Sequence, residues 1–257
     1  MRALVLSAGS TFGAYQAGVW QALEEARLPP DLLAGASVGA INATAIARGA
    51  SAQRLQEWWR DPASNIFHDN WSRSLRRRLD EFLQEFPPTP RSRPLRVAAT
   101  RLPSTRIDIF QDHQVTAAVL QASCAVPPFF SPVRVGGRLY IDGGVFCRLP
   151  VALVPEATEV LTVDLLAEPP SRLLRLAMNA AGSCRSLLVA EPAPASLPIT
   201  LAIAPSQPLG AIRDLYRWDP ARIDRWIDQG YRDAQRLLAT SRPAQNSAPT
   251  ADSAAPK

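Results

Sequence analysis

Lysine is almost missing from this chain: Lys257 is the single lysine among 28 basic residues. The net charge of +5 is compatible with nucleic acid or anionic lipid. The arginines, however, are not interleaved with aromatics as in single-strand binders, and no zinc-finger ligand motif occurs. No nucleic-acid partner is expected. Cysteine is also scarce. Cys124, Cys147 and Cys184 are odd in number and widely spaced, which speaks against a disulfide framework and against a zinc site. They read as reduced thiols of a cytoplasmic protein. No apolar run reaches the length of a membrane span; the longest, Leu173 to Val189, is broken by Arg175 and Arg185. The run from Met1 to Ser7 is too short for a signal-peptide core and lacks a cleavage site. The expectation is a soluble protein, bound at most peripherally at a membrane surface. Histidine is limited to His68 and His113, read by default as surface or packing residues. The order Ser…Asp…His of α/β-hydrolases needs a histidine after the acid, and none follows residue 113.

Apolar residues make up 47% of the 257 residues, enough for a substantial core, and α/β domains often reach this length as one unit. Ala3 to Leu6 reads as a buried strand. A loop with Gly9 and Gly13 follows, then a helix from Ala14 to Ala26 ended by Pro29-Pro30. Leu32 to Ala34 is a second strand, and Ala40 to Ala47 a buried helix ending near Gly49. This alternation predicts an α/β fold with a parallel sheet. Trp71 to Phe86 is amphipathic, with Trp71, Leu75, Leu79, Phe82, Leu83 and Phe86 on one face and Arg76, Arg77 and Arg78 elsewhere. It is either a helix packed on the core or a membrane-facing element that meets anionic lipid. Strands are expected at Arg96 to Thr100, Ile107 to Phe110, Val160 to Val163 and Ile199 to Ile203, and helices at Val115 to Ala122 and Asp219 to Leu238. Val133 to Val135 and Leu139 to Ile141 form a hairpin around Gly136-Gly137. Residues 241–257 turn to Pro, Ala, Ser and Thr and are expected to be a disordered tail.

Two places carry chemistry. Gly35-Ala36-Ser37-Val38-Gly39 follows a strand and precedes a helix, the context of a nucleophile elbow. Gly35 and Gly39 let the backbone close up around the turn, and the helix that follows aims its positive end at the site. The competing reading makes Ser37 a helix cap. The best acid is Asp142, in Tyr140-Ile141-Asp142-Gly143-Gly144, at a strand end where α/β sheets carry their sites. A carboxylate close to the serine could act as its general base; alone, Asp-Gly is a common turn pair.

Together these blocks resemble a known family. Leu6-Ser7, then Gly13 to Val19, resemble the opening of patatin-like phospholipases. Gly35 to Ala43 resembles their nucleophile elbow. Ala122-Ser123-Cys124-Ala125-Val126-Pro127-Pro128-Phe129-Phe130 and Tyr140 to Gly144 resemble the stretch leading into their Asp-Gly-Gly/Ala motif. The blocks run in order over roughly residues 3 to 165. The resemblance implies a three-layer α/β/α fold with a mainly parallel central sheet, one patatin-like domain over 1–240, and a Ser37-Asp142 dyad. It implies hydrolysis of fatty acyl esters of lipids through an acyl-enzyme, with no metal or organic cofactor. The family's oxyanion loop reads roughly Gly-Gly-Gly-x-Arg-Gly. Here it is Ala8-Gly9-Ser10-Thr11-Phe12-Gly13, so Gly9, Ser10, Thr11 and Gly13 are the candidate loop residues and Phe12 replaces the basic one. After Gly143-Gly144, Cys147-Arg148 precede Leu149-Pro150 where the family commonly has asparagines. Arg148 could pair with an acidic group near the site, which the sequence does not locate. The altered loop keeps a second function open, a catalytically weak protein with a lipid- or partner-binding role.

Overall fold

The computed structural model describes residues 1–65, 71–168 and 199–241. Eight strands form one sheet: β1 (Arg2–Leu6), β2 (Leu32–Ala36), β3 (Leu95–Leu102), β4 (Ile107–Gln111), β5 (Val133–Val135), β6 (Arg138–Asp142), β7 (Glu159–Val163) and β8 (Ile199–Ile203). The order is β5-β6-β3-β2-β1-β7-β8, with β4 also on β3. The run β3-β2-β1-β7-β8 is parallel, while β4 and β6 pair with β3, and β5 with β6, in antiparallel sense. The sheet is therefore mainly parallel, as expected, with an antiparallel flank. Gly136 and Gly137 both take positive φ in the β5–β6 turn, the backbone that a two-residue hairpin demands.

Alternation along β1 shows the two faces. Leu4 and Leu6 enter the larger core, and Ala3 and Val5 a smaller one. Among the described residues, six helices share the larger core: α1 (Ala14–Glu25), α2 (Val38–Ala47), α3 (Ala52–Arg60), α4 (Trp71–Glu85), α5 (Ala117–Ser123) and α6 (Pro220–Ser241). The smaller core is closed by Leu149, Val151, Leu153, Val154 and Ala157. Helix α6 crosses α1 at two glycines. A Cβ on Gly18 would run into Ile227 O, and one on Gly230 into Tyr15 O.

The α4 stripe belongs to the core: Leu75, Leu79, Phe82 and Phe86 are buried. Arg76 pairs with Asp80 at 3.4 Å, and Arg77 and Arg78 with Glu81 at 3.7 and 2.9 Å. No helix among the described residues is long and apolar enough to cross a membrane. The segment Leu173 to Val189, Cys184, His68 and the tail beyond Ser241 lie outside the described residues.

Candidate active site

The register of the sheet brings the two sequence motifs together. Leu6 lies level with Gly35 on β2 and Val163 on β7, so these parallel strands end along one edge. Residues Ala98 and Ala99 of β3 each carry β4 on one side. The other side of β3 is shared: β2 runs up it to Ala36 opposite Ala98, and β6 runs down it to Asp142 opposite Ala99. The strands therefore meet end to end, with Ser37 just past one end and Asp142 closing the other.

Ser37 has φ 55° and ψ −130°, a sparsely populated backbone for a non-glycine residue. Two close approaches make the turn sharp. A Cβ on Gly35 would strike Gly39 O, and one on Gly39 would strike Leu6 O. The Ser37 side chain makes no cap bond to α2, so the capping role does not hold. Its carbonyl accepts the amide of Ala40 at 2.8 Å. The amides of Val38 and Gly39 are the donors that every helix start leaves over.

Asp142 is 2% exposed. Its Oδ1 accepts the Gly144 amide at 2.6 Å, the turn bond expected of Asp-Gly. Its Oδ2 is buried and has no hydrogen-bond partner. Burial pushes the carboxyl up to about 7, against the pull of the Ser37 hydroxyl and of the Gly144 and Val145 amides. Burial, and then the Asp142 charge, push the Cys124 thiol up, with Ser37 opposing. Burial, and again the Asp142 charge, push Tyr216 up. Cys124 and Tyr216 thus stand within electrostatic reach of the acid.

The loop from Ala8 to Gly13 closes the third side. Ser10 takes φ 55°, a left-handed backbone that favours glycine. Gly13 has an ordinary φ of −54°; it is glycine for room, since a Cβ there would strike Val38 and Trp59. Phe12 points away from the site and meets Trp226 edge-on at 5.1 Å. Thr11 Oγ1 donates to the Asp214–Leu215 turn, 2.7 Å from Asp214 O. Among the described residues no acceptor stands against the amides of Gly9, Ser10 and Thr11, the first turn of a 3-10 helix. The Ser10 hydroxyl is buried and unpartnered. Ser10 Oγ and Asp142 Oδ2 are the two such side-chain atoms among the described residues, and unsatisfied buried groups in native folds call for an explanation.

The loop is held by buried polar side chains. Gln16 Nε2 donates to Ser7 O at 2.9 Å, and Asn42 Nδ2 to Gly13 O at 2.9 Å and to Gln16 Oε1 at 2.8 Å. Trp59 Nε1 donates to Asn42 Oδ1 at 3.0 Å. Gly144 lies where a Cβ would strike Ala8, and Gly143 where one would strike Ala98 O, so the acid motif is seated on the loop and on β3. Arg148 finds its acid in Asp164, at the end of β7, while its carbonyl takes the Ala8 amide at 2.9 Å. His113 is exposed just after β4, at the opposite edge of the sheet. Among the described residues no group of three His, Cys, Asp or Glu could hold a metal ion.

Sequence reading assigned no role to Ser123, Gln16, Asn42 or the Phe129–Tyr216 pair. For Gln16 and Asn42 a signal existed: a polar residue inside an apolar helix stretch is the informative one. Phe129 is 44% exposed and stacks on Tyr216 at a centroid distance of 4.5 Å.

The site thus sits on a mixed, mainly parallel α/β sheet, where a sharp strand-to-helix turn at the C-terminal edge lies beside a buried acid. The sequence model of the family described as patatin-like phospholipase matches residues 4–154. The chain belongs to the patatin-like phospholipase family. Solved structures that share the fold include VipD and ExoU. VipD from Legionella pneumophila is 15% identical with a TM-score of 0.56, over 93% of this chain and 67% of that one. Full-length ExoU of the Pseudomonas aeruginosa type III secretion system, solved in complex with SpcU, is 13% identical with a TM-score of 0.50. That match covers 94% of this chain and 52% of ExoU, so this chain spans about half of ExoU's length.

Proposed function

We propose that this protein is a serine acyl hydrolase that cleaves fatty acyl esters of lipids through a Ser37-Asp142 dyad. The observation that carries the reading is the end-to-end meeting of β2 and β6, which sets Ser37 beside an acid held near a pKa of 7. A base works best when its pKa lies near the working pH. Ser37 Oγ attacks the ester carbonyl carbon as Asp142 takes its proton. The oxyanion draws on the amides of Val38 and of the Gly9–Thr11 turn and on the positive end of α2. The Ser10 hydroxyl adds a side-chain donor. Collapse expels the alcohol, which receives the proton from Asp142. Water, deprotonated by Asp142, then releases the fatty acid and restores Ser37. The Phe129–Tyr216 pair offers an apolar wall to an acyl chain. A peripheral membrane contact through α4 would run through its exposed arginines, whose charge Asp80 and Glu81 partly offset.

The reading of a weak or silent protein rests on the substituted loop. The left-handed backbone at Ser10 and the packing of Phe12 into the core against Trp226 support the first reading over this one. The test is hydrolysis of p-nitrophenyl fatty acid esters and of phospholipid vesicles. Ser37→Ala is expected to lower kcat/KM by about 10⁴-fold or more. Equal turnover by wild type and Ser37→Ala would overturn the proposal.

A further inference from the structure

The ends of β2 and β6 abut without pairing to each other; β3 is the strand they share, while β2 pairs on its other side with β1 and β6 with β5. A dyad split across such a gap needs something to hold its halves in register. The turn that ends α5 spans the gap. Ser37 N–H donates to Ser123 Oγ at 3.0 Å, and Ser123 Oγ–H donates to Ala98 O at 2.8 Å. The hydroxyl thus stands in for a rung of the β2–β3 ladder where β2 peels away into the elbow. Two residues on, Ala125 O accepts the Asp142 amide at 3.0 Å. Between them, the Cys124 thiol is electrostatically coupled to both Ser37 and Asp142. Ser123 and Ala125 are fully buried.

We infer that the Ser123-Cys124-Ala125 turn is a clamp that registers nucleophile against base, with Ser123 as its positioning residue. The inference rests on the reading of Ser37 and Asp142 as that pair. A hydroxyl has one proton to give and lone pairs to receive, and Ser123 uses both functions on atoms that fix the Ser37 backbone. The Ser37 amide is thereby turned away from the oxyanion, leaving that role to Val38 and the loop. The strained Ser37 backbone persists only if its surroundings over-determine it, and Ser123 is the side chain bonded directly to it. Thr100 Oγ1, donating to Asp142 O at 3.0 Å, holds the acid from the β3 side. Among the described residues, Ser123 is the side chain that takes the nucleophile's own amide.

The experiment compares Ser37→Ala, Ser123→Ala, Ser123→Cys and Tyr15→Phe on a p-nitrophenyl fatty acid ester, with fluorophosphonate labelling of the folded fraction. Ser123→Ala is expected to lower kcat and labelling rate about 10- to 100-fold, the scale of a misplaced reacting group, with KM within about twofold of wild type. Tyr15→Phe also deletes a buried hydroxyl bond, to Asp233 at 3.1 Å, but lies in the α1–α6 interface. It should keep the wild-type kcat, which separates lost positioning from lost stability. If Ser123→Ala does not fold, Ser123→Cys keeps the volume with weaker bonds and should show the same kcat loss. A folded Ser123→Ala or Ser123→Cys with wild-type kcat, or an equal kcat loss in Tyr15→Phe, overturns the clamp. Activity surviving in Ser37→Ala sinks the dyad reading itself. An inactive Ser37→Ala beside fully active Ser123 variants sinks the clamp alone.

Discussion

Asp142 holds its proton more tightly folded than unfolded, because burial penalises the charged form. Its favourable contribution to stability is present below the unfolded value near 4 and is lost as pH rises through about 7. Urea unfolding should therefore show stability falling between pH 4 and 7, with the slope reduced in Asp142→Asn. At pH 8 that variant should be more stable than wild type and inactive, as expected where a site holds a destabilised group. Phe12 gives a second residue-scale prediction. It is 1% exposed against Trp226, so Phe12→Arg buries an unpaired cation and should cost about 3 kcal/mol or more in urea unfolding. Restoring the family's basic residue thus needs a partner as well. Ser37 and Asp142 could be read in the sequence because each is flanked by glycines that close backbone approach requires. Ser123 could not, since a hydroxyl that bridges two backbone groups leaves no spacing pattern.

Periodicity revealed most elements. The β5–β6 hairpin was legible from Gly136-Gly137, and α4 from its apolar stripe, though the stripe alone does not say whether core or lipid covers it. Helix α3 had no prediction: its nine residues are mostly polar, and Trp58-Trp59 breaks a simple one-face count. Its start carried a signal, for Ser51 Oγ caps the Arg54 amide at 3.2 Å. The polar residues that lock α2 to the oxyanion loop yield the element-scale prediction. Asn42→Ala strands Gln16 Oε1 and Trp59 Nε1 in a buried setting, removes a bond to Gly13 O, and should lower stability by about 2–3 kcal/mol. With the loop less fixed, kcat should fall more than KM changes. Unchanged unfolding and kinetics would remove this network from the account.

At the scale of the molecule, the sequence blocks gave an α/β sheet but not the two-strand sharing of one β3 edge. That arrangement depends on pairings far apart in the chain, which no local pattern records. Residues 199–241 lie beyond the family match at 4–154 yet are built into the same unit. Strand β8 extends the sheet, Trp226 backs Phe12, and the Asp214–Leu215 turn takes the Thr11 hydroxyl. Gly230→Ala would push a methyl into Tyr15 O at the α1–α6 crossing. It should destabilise by about 1–3 kcal/mol, read from the urea midpoint. The Ser37-Asp142 pair is the claim on which everything else turns, and the rate at which a fluorophosphonate labels Ser37 across pH 5 to 9 tests it most directly. The rate should rise with pH through about 7 and level off, vanish in Ser37→Ala, and drop with loss of that pH step in Asp142→Asn. Labelling at another residue, or a pH step unchanged in Asp142→Asn, would contradict it.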